Sequence, residues 1–124
     1  LIHQVAQGSS DGRLHFGRVI DLLLQADVES YTVDYRTRKT TYYRPNGETL
    51  GIELDVPIGE IGREFDVAAI KAAISGSQRG VVKYPEFMDL SSRAGCVSYT
   101  VWLAGRHVTY FGRKGESHVE RFPN

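Results

Sequence analysis

Toward the end of the chain, His107, Glu116, His118 and Glu120 are the residues with the most chemistry in reach. On neighbouring strands, two imidazoles and two carboxylates can share a proton or hold a divalent metal. In a catalytic version His118 is the general acid or base, Glu116 or Glu120 orients it, Tyr110 lies nearby and Trp102 forms an apolar wall. In a binding version Trp102, Thr100, Thr109, His107 and Phe111 form a ligand surface. In a purely structural version the same residues are a solvated sheet face with complementary His and Glu pairs. Metal sites usually set two His one helical turn or two strand positions apart. This group does not, so neither a metal nor another cofactor is expected.

Other candidates carry less. Gly8-Ser9-Ser10-Asp11-Gly12 is glycine-rich, but it lacks phosphate-loop spacing and follows a helix, so it reads as a loop. Arg36, Arg38, Lys39 and Arg44, interleaved with Tyr42 and Tyr43, make a basic tip. Against it, 15 Lys and Arg balance 15 Asp and Glu, so no global field draws nucleic acid and no such partner is expected. No serine sits in a nucleophile elbow. Cys96, the single cysteine, has no His near it in sequence and excludes an intrachain disulfide. It reads as a small buried hydrophobe in a reducing compartment. Leu1 to Ala6 is too short and too polar for a signal-peptide core, and no run approaches the roughly 20 apolar residues of a membrane helix. A cytoplasmic protein without a membrane partner is expected.

The elements that must position these side chains emerge when the chain is slid along itself. A shift of 68 residues aligns Leu1–Glu48 with Ala69–Glu116 without a gap, and 16 of the 48 positions are identical. Ser30-Tyr31-Thr32-Val33 recurs as Ser98-Tyr99-Thr100-Val101, and Arg38, Thr41, Tyr42, Gly47 and Glu48 recur as Arg106, Thr109, Tyr110, Gly115 and Glu116. The expected fold class is therefore α+β: an internal duplication of a helix-helix-three-stranded antiparallel meander, with two copies packed about a pseudo-twofold axis. At 124 residues the chain is expected to be one domain, with repeat 1 at 1–54, a linker at 55–65 rich in Pro and Gly, and repeat 2 at 66–124.

Within repeat 2, a helix over 66–75 starts at Asp66, ends at Gly76 and buries Val67, Ile70 and Ile74. A second over 85–94 starts at Pro85, buries Phe87 and Leu90, and stops at Gly95. Their partners are the segment up to Gln7 and about 17–26. The period then falls to 2, giving strands at 96–103, 106–111 and 116–122, with counterparts at 28–35, 38–43 and 48–54. Ala104-Gly105 reads as a two-residue turn and Gly112–Gly115 as the next. Counting from these turns pairs Thr109 with Thr100 and with His118. One face then carries Val97, Tyr99, Val101, Val108, Tyr110 and Val119 toward the helices. The other gathers Ser98, Thr100, Trp102, His107, Thr109, Phe111, Glu116, His118 and Glu120, and its first-copy equivalent holds Tyr43, Leu50, Ile52 and Leu54.

Tyr84-Pro85-Glu86-Phe87, Ala94-Gly95-Cys96-Val97 and Gly115-Glu116-Ser117-His118-Val119-Glu120 together resemble the YbcV-like family of bacterial domain-of-unknown-function proteins, often labelled phage envelope protein. Tyr42-Tyr43-Arg44-Pro45-Asn46-Gly47-Glu48-Thr49 matches in the first half, so the resemblance covers nearly the whole chain. Leu50 and Gly51 stand where His118 and Val119 stand in the second copy. The resemblance implies boundaries and brings no activity, substrate or catalytic residue. The expected function is a binding or interaction module that self-associates as a homodimer through the Trp102 and Phe111 face. The alternative is a small-molecule enzyme or ligand-binding protein using the His/Glu/Trp face.

Overall fold

The computed structural model describes every residue except Arg13, His15 and Asn124. Two helices, α1 (Ile2–Ser10) and α2 (Phe16–Gln25), precede the meander β1 (Ser30–Asp34), β2 (Lys39–Tyr43) and β3 (Thr49–Glu53). The pattern then repeats as α3 (Val67–Gln78), α4 (Tyr84–Arg93), β4 (Cys96–Trp102), β5 (His107–Gly112) and β6 (Ser117–Arg121). All strand pairs are antiparallel, in one six-stranded sheet of order β3-β2-β1-β4-β5-β6. The two units meet where β1 pairs β4, and there Thr32 faces Thr100 with their hydroxyls 3.0 Å apart. These two residues are 68 apart in sequence, the same offset that relates the halves, so the local twofold passes between them.

The helices cover one face of this sheet. Tyr31, Val33, Tyr99, Val101, Val108 and Tyr110 point inward and are buried with Leu23, Ile70, Phe87 and Met88. The Asp66 carboxylate caps α3 by accepting from the Ala69 amide at 3.1 Å, and Pro85 sits in the first turn of α4, both as expected. Gly76 does not end α3. It lies inside the helix and is buried, because a Cβ there would come 2.6 Å from Val82 Cγ2. Val67 is outside the core at 37% exposure, since Ile70, Ala73 and Ile74 centre the buried stripe and leave Val67 at its margin. Leu90, expected inside, is 42% exposed, and Ser91 takes the buried position. The Tyr35 hydroxyl donates to Ser91 Oγ at 2.7 Å, and Ser91 Oγ donates to the Phe87 carbonyl at 2.7 Å. A satisfied hydroxyl pair has outcompeted leucine for that face.

The turns correct the expected register. Between β4 and β5 the loop is four residues, Leu103 to Arg106, closing through Arg106 in the left-handed region, and Leu103 folds back into the core. Thr100 still faces Thr109. Between β5 and β6 the Gly112 amide donates to the Glu116 carbonyl at 2.8 Å, so three residues bridge the strands and Gly115, at φ +83, closes the turn. That extra residue slips β6 by one. Thr109 faces Val119, and Tyr110 faces His118.

Candidate functional site

A slip of one residue moves every side chain of a strand to the other face. His118 and Glu120 therefore lie on the helix side with Tyr110, while Val119 turns outward and is 54% exposed. The expected grouping of His107, Trp102, Phe111, Thr100 and Thr109 with His118 and Glu120 is split by the thickness of the sheet. Trp102, His107, Phe111, Thr100 and Thr109 do share the open face, where the Trp102 and His107 rings lie 6.3 Å apart. Leu50, Ile52 and Leu54, expected on that face, instead pack against the core for the same reason. Tyr42 of the basic tip is buried on the inner face, and Arg38 and Arg44 donate to the carbonyls of Ile58 and Ala26.

Glu116 is held by its own turn. Its carboxylate accepts from the Lys114 amide at 2.8 Å, and its own amide together with that of Lys114 lowers its pKa below the usual carboxylate range. Glu116 is thus a turn residue, apart from His118. Among the described residues, no group of three or more His, Cys, Asp and Glu side chains converges to hold a metal ion.

His118 and Glu120 belong to a different site. Nε2 of His118 lies 3.0 Å from Oε1 of Glu120, and the His118 ring stacks on Tyr110 with centroids 6.4 Å apart. Beside them, between sheet and helices, is a cavity of about 150 Å³. Its floor is Tyr31, Tyr99, Val101, Val108 and Tyr110 from the inner face of the sheet, and its roof comes from the two helix pairs and the turns within them. Glu120, Phe122 and Lys83 stand among its walls. Phe122 is held by an edge contact with Phe16 at 5.3 Å and by the Arg106 guanidinium over its ring at 5.3 Å.

Four tyrosines, Tyr31, Tyr84, Tyr99 and Tyr110, are part of the lining. The hydroxyls of Tyr84 and Tyr99 bond to each other at 2.9 Å. Among the described residues, none is hydrogen-bonded to the hydroxyl of Tyr31 or Tyr110, although both residues are only 6% exposed. Among the described residues every sealed side-chain polar atom has a partner, so these two hydroxyls are not completely sealed. Burial pushes the pKa of Tyr31, Tyr84, Tyr99 and Tyr110 up, so all four remain neutral hydroxyls. The recurring tyrosines Tyr31, Tyr42, Tyr99 and Tyr110 read from sequence as core aromatics with a hydrogen-bonded hydroxyl; all four are in the core, and among them the hydroxyl bond is present at Tyr99. The lining from Leu14, Phe16, Val19 and Phe122 had no sequence signal beyond hydrophobicity.

The cavity has a counterpart in the first half at positions 68 lower, including Ser9, Val19, Tyr31, Val33, Tyr42 and Leu54. It measures about 30 Å³, room for about one water. Ile52 stands there in place of Glu120, and Leu50 in place of His118. The fold thus repeats the cavity but supplies the carboxylate and imidazole once.

Comparison with known proteins adds a family and no chemistry. The family profile described as "Protein of unknown function (DUF1398)" matches residues 4–120. Uncharacterized proteins of Mycobacterium bovis and of two strains of Mycobacterium tuberculosis are each 28% identical over 109 residues, covering 86% of this chain and 66% of theirs. The chain thus spans just under two thirds of the length of these curated relatives.

Proposed function

This chain belongs to the DUF1398 family of proteins of unknown function, and we propose that it is a small-molecule-binding module whose ligand sits between the sheet and the helices. The observation that carries this reading is a cavity of about 150 Å³ lined by two buried tyrosines, Tyr31 and Tyr110, whose hydroxyls have no hydrogen-bond partner among the described residues. Protein interiors are packed to the density of organic crystals and leave few voids larger than water. An apolar cavity of about 150 Å³ holds a benzene-sized body. In this reading His118 is a positioning residue: its hydrogen bond steadies Glu120 at the cavity wall, and its ring braces Tyr110.

Thermal-shift titration with ring-sized alcohols, amines and ketones tests it. A ligand at a hundred times its Kd adds about 2.7 kcal/mol of stability, which reads as a saturable rise in Tm. Val108→Phe projects a ring into the cavity from its floor and is expected to abolish that rise while the protein remains folded. A folded Val108→Phe protein that responds as the parent does would place the ligand elsewhere, and no response from any probe would retire the reading.

A second reading concerns the open face. Trp102 is 43% exposed and Val119 54%, with Phe111 and Tyr43 half-buried beside them on a face that no helix among the described residues covers. We propose a second copy of this chain as its occupant, since two such faces can bury their apolar side chains against each other. Sedimentation is expected to show a dimer at micromolar concentration and a monomer for Trp102→Arg; a monomeric parent protein overturns this reading. A cytoplasmic setting and a place among the YbcV-like proteins are part of the same proposal, supported by balanced charge, a buried Cys96 and the Gly115–Glu120 segment. No helix among the described residues is long and apolar enough to cross a membrane.

A further inference from the structure

Resting on the cavity reading, we infer that the ligand is a small amine with an apolar, ring-sized body, its ammonium group bound at Glu120. The inference comes from which charges turn inward. Among the described residues, three charged side chains border the cavity: Lys83, Glu120 and Arg121. Arg121 faces His107 across the β5–β6 ladder, on the open side of the sheet, so its guanidinium is directed away from the helices. Lys83 precedes α4, lays its Cβ and Cγ near Gly12 and is exposed. Glu120 faces the buried Val108 on the inner side, so the carboxylate is the charge directed toward the cavity.

That carboxylate is incompletely matched. Its partner is His118, and among the described residues no Lys or Arg lies within salt-bridge distance of it. Phe16, Tyr31, Phe87, Tyr99, Tyr110 and Phe122 supply an aromatic surround. Aromatic rings carry negative faces, and an ammonium gains from them and from a carboxylate together. The open hydroxyl oxygens of Tyr31 and Tyr110 have lone pairs for its remaining N–H groups. A carboxylic acid anion of the same shape would be repelled by Glu120, and an alcohol would gain the apolar contact without the charge. Since Ile52 and Leu50 replace Glu120 and His118 in the first half, each chain binds one amine.

Isothermal titration calorimetry with benzylamine, benzyl alcohol and benzoate, which share one ring and differ in charge, is the test. Benzylamine is expected to bind one per chain and at least about tenfold tighter than benzyl alcohol, the factor set by one charge-assisted hydrogen bond. Benzoate is expected not to bind. Glu120→Gln is expected to bring benzylamine to within about threefold of benzyl alcohol, on the same scale, while saturable binding of benzyl alcohol persists, which also reports that the cavity survives. In the parent protein, added salt is expected to weaken benzylamine and leave benzyl alcohol untouched, a reading that needs no variant. Equal binding of amine and alcohol, or an amine preference that survives Glu120→Gln, overturns the amine class while leaving the cavity reading standing. If none of the three binds, both fall.

Discussion

Titrated with base, the chain is expected to keep its fold to about pH 10 and then unfold cooperatively within one or two pH units, because phenols buried as neutral groups ionise readily only when released. Tyr31, Tyr35, Tyr99 and Tyr110 are buried and their pKa values are pushed up, chiefly by loss of solvent; Tyr42 is pushed up to about 12 by the same cause. Burial also raises the Cys96 thiol to about 11. In the unfolded chain these phenols titrate near 10, so above that pH the unfolded state binds fewer protons than the folded one and stability falls as pH rises. The stabilising effect is whole below the unfolded values and is lost as pH climbs toward the folded ones. Each group contributes a loss of about 1.4 kcal/mol per pH unit in that window, and a domain has only about 5 to 15 kcal/mol to lose. Circular dichroism and tyrosinate absorbance followed together are expected to change in one coincident transition. Gradual phenolate formation under an unchanged circular dichroism spectrum would contradict the packing described around Tyr99.

The same tyrosines show how far the sequence could be read. The 68-residue offset aligns α2 with α4 and each strand of the first meander with its counterpart in the second, so every element was visible before its packing was known. Packing decided the rest. Leu90 outranks Ser91 in hydrophobicity, yet Ser91 is buried because Tyr35, 56 residues away, needs a partner for its hydroxyl. One residue of turn geometry puts His118 on the inner face instead of the outer one: Gly115 closes its turn in the left-handed conformation, which adds a residue to the loop and reverses the strand that follows. Pro45 and Gly47 in the matching turn carried that signal, and Gly47 has φ +91. The cavity was beyond reach because its walls come from turns and strands whose hydrophobicity is the same whether or not they meet. Trp102 and Glu120, which the sequence pattern groups together, lie on opposite faces of the sheet.

The connection between the halves makes the second large prediction, Gly95→Ala. Residues 62 to 66 run against the end of α4, where the Gly62 amide donates to the Ser92 carbonyl at 2.9 Å and the Asp66 amide to the Ala94 carbonyl at 2.8 Å. Two glycines permit this approach from opposite sides. A Cβ on Gly62 would come 2.2 Å from the Arg93 carbonyl oxygen, and a Cβ on Gly95 would come 2.2 Å from that of Glu64. Both obstacles are backbone, so no rotamer change relieves them, and Gly95 also lies at φ +92. Alanine there combines left-handed strain with a forced separation that breaks the two bonds, and a loss of about 3 kcal/mol or more is expected. Gly115→Ala is the control: its φ of +83 is comparable, but nothing stands within 4 Å of a Cβ there. Only the conformational cost applies at that site, about 1 to 2 kcal/mol. Denaturant midpoints of the two variants therefore separate strain from contact. If Gly95→Ala proves no worse than Gly115→Ala, the connection does not pack against α4 as closely as these distances require. If it proves far worse, the segment read from sequence as a linker is part of what fixes α4 over the sheet, and with it Tyr84 and Phe87 in the cavity wall.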